Sequence, residues 1–295
     1  MSEQELLQCE SMLKNLLVPD NTIRNQAQSQ LVDCLSSIQK KEALSIYCSL
    51  LLLNSTDLNV QNYCAIILRK IFLTSEKEIS NEAVKNFSEK NKQEIKNNIL
   101  LSLNKTTNKA LRKQIAEAAI RIYEGLYENE EKWDEFLKYV INIFNLDLND
   151  NNIDIIQLGL FILSDIFSFA YDELKEGIPL FLNKFKIYFV SNSLSLKSNT
   201  VDCVTELLSS VSSKKEMKQF KEIIFNILET TKLCLEQKDE ENIKICLDSL
   251  EDLATRLPEI LKKNFENIYI LMGKIIEEKN FDEKIEKLVL IYYYH

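Results

Sequence analysis

The chain reads as all-α, an α-solenoid of about seven antiparallel helix pairs wound into a right-handed superhelix. Three observations carry this reading. Apolar residues recur at helical spacing along the whole chain, and Gly 4 and Pro 3 among 295 residues are too few for a turn-rich β protein. The pattern returns every forty residues or so. Its anchors lie in the second helix of each pair: Ile23/Ala27/Leu31, Val60/Cys64/Leu68, Leu111/Ile115/Ala119, Ile155/Gly159/Leu163, Leu196/Thr200/Val204, Ile243/Leu247 and Ile285/Val289. Several of these anchors are small, which lets stacked helices approach closely.

Such a period marks repeats of the HEAT and armadillo kind. The array is expected to form one solenoid over residues 1–295, with repeats at 3–38, 41–73, 91–127, 131–170, 173–212, 216–256 and 263–295. In the first pair, Leu6, Leu7, Met12, Leu13, Leu16 and Leu17 form a stripe over 3–17. Pro19 ends that helix and Asp20 caps the next, over 21–38. A helix over 41–54 leads through the turn-forming Asn54-Ser55-Thr56-Asp57 into another over 58–73. The polar stretch 74–90 lengthens one step of the period and reads as an insertion. Helices follow over 91–104 and 107–127, then from Trp133 and from Ile153, the last two parted by Asn149-Asp150-Asn151-Asn152. Gly177-Ile178-Pro179 opens the fifth pair with proline in the first turn, and its second helix spans 195–212. Helices over 216–236, 240–256 and 263–279 complete the series to a last one from Asp282. That helix stops at Tyr292-Tyr293-Tyr294-His295 with no polar cap, so the native chain is expected to continue.

A stack of this kind offers long helix faces and no closed core for an active site, and the composition agrees. The single histidine is the last residue, which removes His-based acid–base and nucleophile systems and nearly every zinc site. No phosphate-binding glycine loop or nucleophile elbow occurs. Ser212-x-x-Lys215 lies in a polar turn, and the carboxylate pairs Glu130/Glu131 and Glu240/Glu241 lie in loops. An enzyme, a cofactor and a metal are therefore not expected. The net charge of −9 shows no basic face, so direct nucleic-acid binding is not expected either, and basic protein partners suit it better. The seven cysteines lack ligand spacing and read as buried, reduced thiols. The polar, acidic start Met1-Ser2-Glu3 is unlike a secretory leader, and the longest apolar runs, such as 158–163, are short for a bilayer. A soluble monomer of cytoplasm or nucleus is the expectation.

Four segments carry a resemblance. Leu16, Leu17, Pro19, Asp20, Asn21, Arg24, Gln26 and Ala27 are similar to the first inter-helix junction of the importin-β (karyopherin-β) family. Residues 63–72, from Tyr63 through Arg69 and Lys70 to Phe72, resemble the second helix of its second repeat, especially in the branch called importin subunit beta-3. Leu111, Arg112, Lys113, Ala116, Ala118 and Ala119 resemble the third repeat. Trp133-Asp134-Glu135-Phe136-Leu137 resembles the start of the fourth, with Asp134 in place of the usual proline. The likeness is densest over 16–140 and thins into helix periodicity beyond.

The resemblance implies a nuclear transport receptor that shuttles between cytoplasm and nucleus. It would bind Ran-GTP on the concave second helices, nucleoporin phenylalanine-glycine (FG) repeats on the outer first helices, and basic cargo of the ribosomal-protein or histone type. The Ran residues it implies are Asn25 and Gln28; Gln61, Asn62, Arg69 and Lys70; and Arg112, Lys113 and Glu117. The FG-repeat residues it implies are Phe181, Phe185, Phe189, Phe220, Ile224 and Phe225. The rival reading is a HEAT-repeat scaffold subunit of a cytosolic signalling complex, which would be indifferent to Ran's nucleotide. A helical-repeat nucleic-acid enzyme would need a basic groove with aromatic residues, which the acidic balance does not supply.

Overall fold

The computed structural model describes residues 3–72, 84–211 and 220–277, and among them it contains α-helices, short 3₁₀ turns and no strand. The helix pairs are those of a HEAT-repeat solenoid. The chain divides into two compact units, Met1–Tyr139 and Val140–His295.

The first unit holds α1 (Glu3–Asn15), α2 (Asn21–Cys34), α3 (Ile38–Asn54), α4 (Leu58–Phe72), α5 (Glu89–Lys105) and α6 (Lys109–Glu128). It also holds the start of α7 (Asp134–Phe144), within which the division falls. Like packs on like: α3 lies against α5 and α4 against α6, while α3 and α4 form a hairpin. The starts are set by side-chain caps. Asp20 accepts from the Thr22 and Ile23 amides at 2.7 and 3.2 Å, and these two bonds hold its carboxyl below the usual range. Ser37, Ser88 and Asn108 cap α3, α5 and α6 in the same way. Ser37 explains why α3 begins before the expected residue 41.

The stripe residues Val60, Cys64, Leu68, Leu111, Ile115 and Ala119 are buried as their spacing predicts. Ile23 departs from expectation, being 39% exposed, and Ala27 is the one buried residue of α2. Helix α2 packs on α1 and α3, and that contact covers only its Ala27 face. The stretch read as a polar insertion also ends differently: Val84 and Phe87 are buried, and the Phe87 ring meets Phe72 edge-on at 5.9 Å. Residues 73–83 lie outside the described residues. The loop before α7 is tied down by two buried lysines of α5. Lys92 pairs with Glu131 and, at 2.9 Å, with Glu89, and Lys96 donates to the Lys132 carbonyl at 3.0 Å.

The second unit holds α8 (Ile153–Leu174), α9 (Ile178–Phe189), α10 (Leu194–Ser210), α11 (Lys221–Glu236), α12 (Glu240–Arg256), the one-turn α13 (Pro258–Leu261) and α14 (Phe265–Glu277). Helix α10 packs between α8 and α12. Gly159 of α8 meets Ile143 so closely that a Cβ there would stand 2.7 Å from Ile143 Cγ2. The stretch Ile153–Phe189 is, by length and composition, apolar enough to cross a membrane, which corrects the expectation of short runs only. More than half of its most apolar window is packed inside the fold. Helical geometry also breaks at Ala170 (φ −124°, ψ 33°), so the stretch is read as core. Ser212 and Lys215, the anchors Ile285 and Val289, and Tyr292–Tyr294 lie outside the described residues.

All seven cysteines are free thiols on helix interiors, six of them buried and Cys34 half-buried. Thiol–thiol contact, with burial behind it, pushes Cys9 and Cys48 far up, which favours the protonated thiol.

Candidate functional site

Two solvent-facing surfaces emerge from the predicted residues, one in each unit. In the first unit, α4 and α6 lie side by side, and their outward residues form neighbouring stripes. On α4 the stripe runs Asn62, Ile66, Arg69 and Lys70, spaced so that all share one face of the helix. On α6 it includes Lys113 and Glu117, one turn apart. Arg69 Nη1 donates to Glu117 Oε2 and joins the two stripes. The sequence reading named both residues, and the structure brings them together across neighbouring repeats.

The remaining predicted residues of this surface are arranged less uniformly. Gln61 turns inward and donates to the Leu52 carbonyl at 3.0 Å, tying α4 to α3. Asn62 donates back to the Leu58 carbonyl at 2.9 Å. The Arg112 guanidinium bends to the Thr106 carbonyl, through Nε at 2.7 Å and through Nη2, and so braces the turn before α6. Asn25 and Gln28 are exposed on α2, which packs mainly on α1 and α3 rather than continuing the α4–α6 row.

One residue was missed. Ile66 is 40% exposed in the middle of the α4 stripe, an apolar side chain bordered by polar and cationic ones. Its signal was available: it is one step off the Val60/Cys64/Ile67/Leu68/Ile71 stripe, so helical spacing already turned it to solvent. An apolar residue with a polar rim is the pattern of an interface anchor.

In the second unit the aromatic prediction needs correction. Phe181, Phe185, Phe189, Phe220 and Ile224 are buried. Phe181 packs edge-on against Phe144 and Phe167 at 5.1 and 6.0 Å, and Phe185 against Phe144 at 6.3 Å. These rings fill the core, so in this conformation they offer nothing to a ligand. Phe225 is the exception, 56% exposed on α11. It lines a groove of about 230 Å³ with Leu228, Glu229 and Lys232 of the same helix and Asn267, Ile270 and Leu271 of α14. Ile270 is also exposed, so the groove pairs an apolar floor with polar edges.

A second, acidic groove of about 320 Å³ opens between α8 and α10, lined by Phe161, Ser164, Asp165, Ser168, Asp202 and Glu206. Ser164 donates to Asp202 Oδ2 at 3.2 Å. Burial pushes the Glu206 carboxyl up, and Asp252, Asp202 and Asp165 add to this, against the opposing pull of Arg256 at 3.5 Å. Among the described residues, no group of three or more Cys, Asp or Glu is placed to hold a metal ion.

The comparisons with known proteins fit the helical-repeat fold. The family model described as IPO5-like, TPR repeats matches residues 107–271. No curated protein matches the chain. Among solved structures, the crystal structure of Kap121p is similar at TM-score 0.74 and 17% identity, covering 98% of this chain and 26% of its own. The karyopherin Kap121p bound to the SUMO protease Ulp1p is similar at TM-score 0.76 and 17% identity, covering 99% and 26%. Kap121p bound to RanGTP is similar at TM-score 0.74 and 16% identity, with the same coverage, 99% and 26%. At these identities the likeness is one of fold. The chain spans about a quarter of the length of these structures.

Proposed function

Because the chain belongs to the IPO5-like TPR-repeat family within the importin-β group, we propose that it works as a nuclear transport receptor of the beta-3 branch. It binds Ran-GTP on the α4–α6 surface, FG nucleoporins on α11 and α14, and basic cargo on its acidic helix faces. It acts as a non-enzymatic monomer that shuttles between cytoplasm and nucleus. The single observation that carries the Ran reading is the α4–α6 row, where Ile66, Arg69, Lys70 and Glu117 share one exposed surface. Kap121p, of the same fold, has been solved bound to RanGTP and bound to Nup53p, which supports both partner assignments.

For the FG repeats, the exposed Phe225 groove takes the place of the buried aromatic stripe. Burying a ligand phenylalanine there gains a few kcal/mol at about 25 cal/mol per Å². Ordering a disordered peptide takes back much of that, so single contacts are weak and many in series give selective passage. For cargo, the acidic groove between α8 and α10 suits a lysine or arginine side chain beside the Phe161 ring.

The deciding experiment is a pull-down with Ran held in its GTP and GDP states. The intact chain is expected to bind the GTP form selectively. The double reversal Arg69→Glu and Lys70→Glu is expected to weaken this by about tenfold or more, since like charges then face each other across the contact. Equal retention of both nucleotide states, or none, favours the cytosolic scaffold reading. Unchanged affinity in the double variant removes the α4–α6 surface from the Ran contact.

A further inference from the structure

Arg69 and Glu117 lie 48 residues apart in sequence and on successive repeats, yet they form the ion pair at the centre of the α4–α6 surface. The pair engages Arg69 through Nη1 alone, and the Arg69 side chain remains 40% exposed while Glu117 is 21% exposed. Arg112 on the same surface is held quite differently, bent to a backbone carbonyl that braces a turn. Arg69 reaches instead to a side chain on the neighbouring helix. Its partner is a side chain that can be exchanged for another carboxylate.

We propose that Glu117 is a built-in competitor for Arg69, which sets how tightly this surface takes a carboxylate-bearing partner. This rests on the Ran reading and names the residue that tunes it. A half-exposed ion pair is weakly held, so an incoming carboxylate can displace Glu117. Binding is then reduced by the factor needed to open the internal pair. The displaced Glu117 also faces the incoming carboxylate as a like charge, which discriminates against a partner that cannot meet Lys70 and Ile66 at the same time. The device keeps the surface from capturing acidic proteins indiscriminately.

The test uses the full chain with GTP-loaded Ran as the probe, comparing wild type, Glu117→Gln, Arg69→Gln and the double variant. Glu117→Gln is expected to tighten binding roughly two- to fivefold at low salt, with the gain shrinking as salt rises. Arg69→Gln is expected to weaken binding, and adding Glu117→Gln to it should change nothing further. Melting midpoints, read by circular dichroism on the same samples, are expected to stay level, which separates competition from loss of fold. Weaker or equal binding by Glu117→Gln overturns the proposal and makes the carboxylate a positioning group or a bystander. A gain that persists without Arg69 also overturns it. If no variant distinguishes Ran-GTP from Ran-GDP, the Ran reading itself fails and takes this one with it.

Discussion

Glu42 shows how much a single side chain settles between repeats. Its Oε1 on α3 accepts from the Ser88 amide at 2.6 Å and the Asn91 side-chain amide at 2.8 Å, so it caps α5 from the neighbouring repeat. Burial alone would raise its carboxyl, but these donors outweigh it and the net shift is downward. A carboxylate lowered in the folded state adds stability above its unfolded value, near 4.3 on average. That stability is lost as pH falls through the folded value. Glu42→Gln is therefore expected to cost about 1 kcal/mol at neutral pH. Wild type and variant should converge in acid below the ordinary glutamate range. Hydrogen exchange at the Ser88 amide, followed against pH, checks this; a difference that stays constant into acid rules out the carboxylate as its source.

At the level of helices, close approach is what the small anchors were expected to permit, and among the glycines Gly159 is where it is tightest. A Cβ there would stand 2.7 Å from Ile143 Cγ2 and 3.4 Å from the Phe144 ring. Gly159→Ala is expected to destabilise the second unit by about 1–3 kcal/mol despite alanine's better helix propensity. Trimming the obstacle with Ile143→Ala should restore part of the loss in the double variant, a coupling that thermal or urea melting can measure. Helix α2 illustrates the opposite case. Buried only at Ala27, it keeps its place with one covered flank, and its remaining inner stripe stays accessible.

For the molecule as a whole, the two grooves of the second unit differ in chemistry. Phe225 and Ile270 form an apolar site, and Asp165, Asp202 and Glu206 form an acidic one. Phe225→Ala is expected to weaken an FG-repeat peptide by about threefold or more, from the lost apolar contact. Binding of a basic cargo peptide should be untouched by that change and should fall as salt rises. Fluorescence anisotropy with the two peptides reads both effects. A loss of both together would mean that the variant has disturbed the fold, and a loss of neither would remove the groove from FG binding.

The periodicity of apolar residues was enough to give the all-α class, and local chemistry was enough to place caps such as Asp20 and the turn before Ile153. Both are short-range matters: a stripe recurs within one helix, and a cap bonds amides two or three residues away. Which side chains reach solvent was decided by the stack. A stripe marks the inward face of an isolated helix, but neighbouring repeats also cover its flanks. That is why Phe181, Phe185, Phe189, Phe220 and Ile224 are core, while Phe225, their neighbour in sequence, is not. For the same reason Arg69 could be singled out in the sequence, whereas its meeting with Glu117 depends on two helices laid side by side by all the packing beneath them.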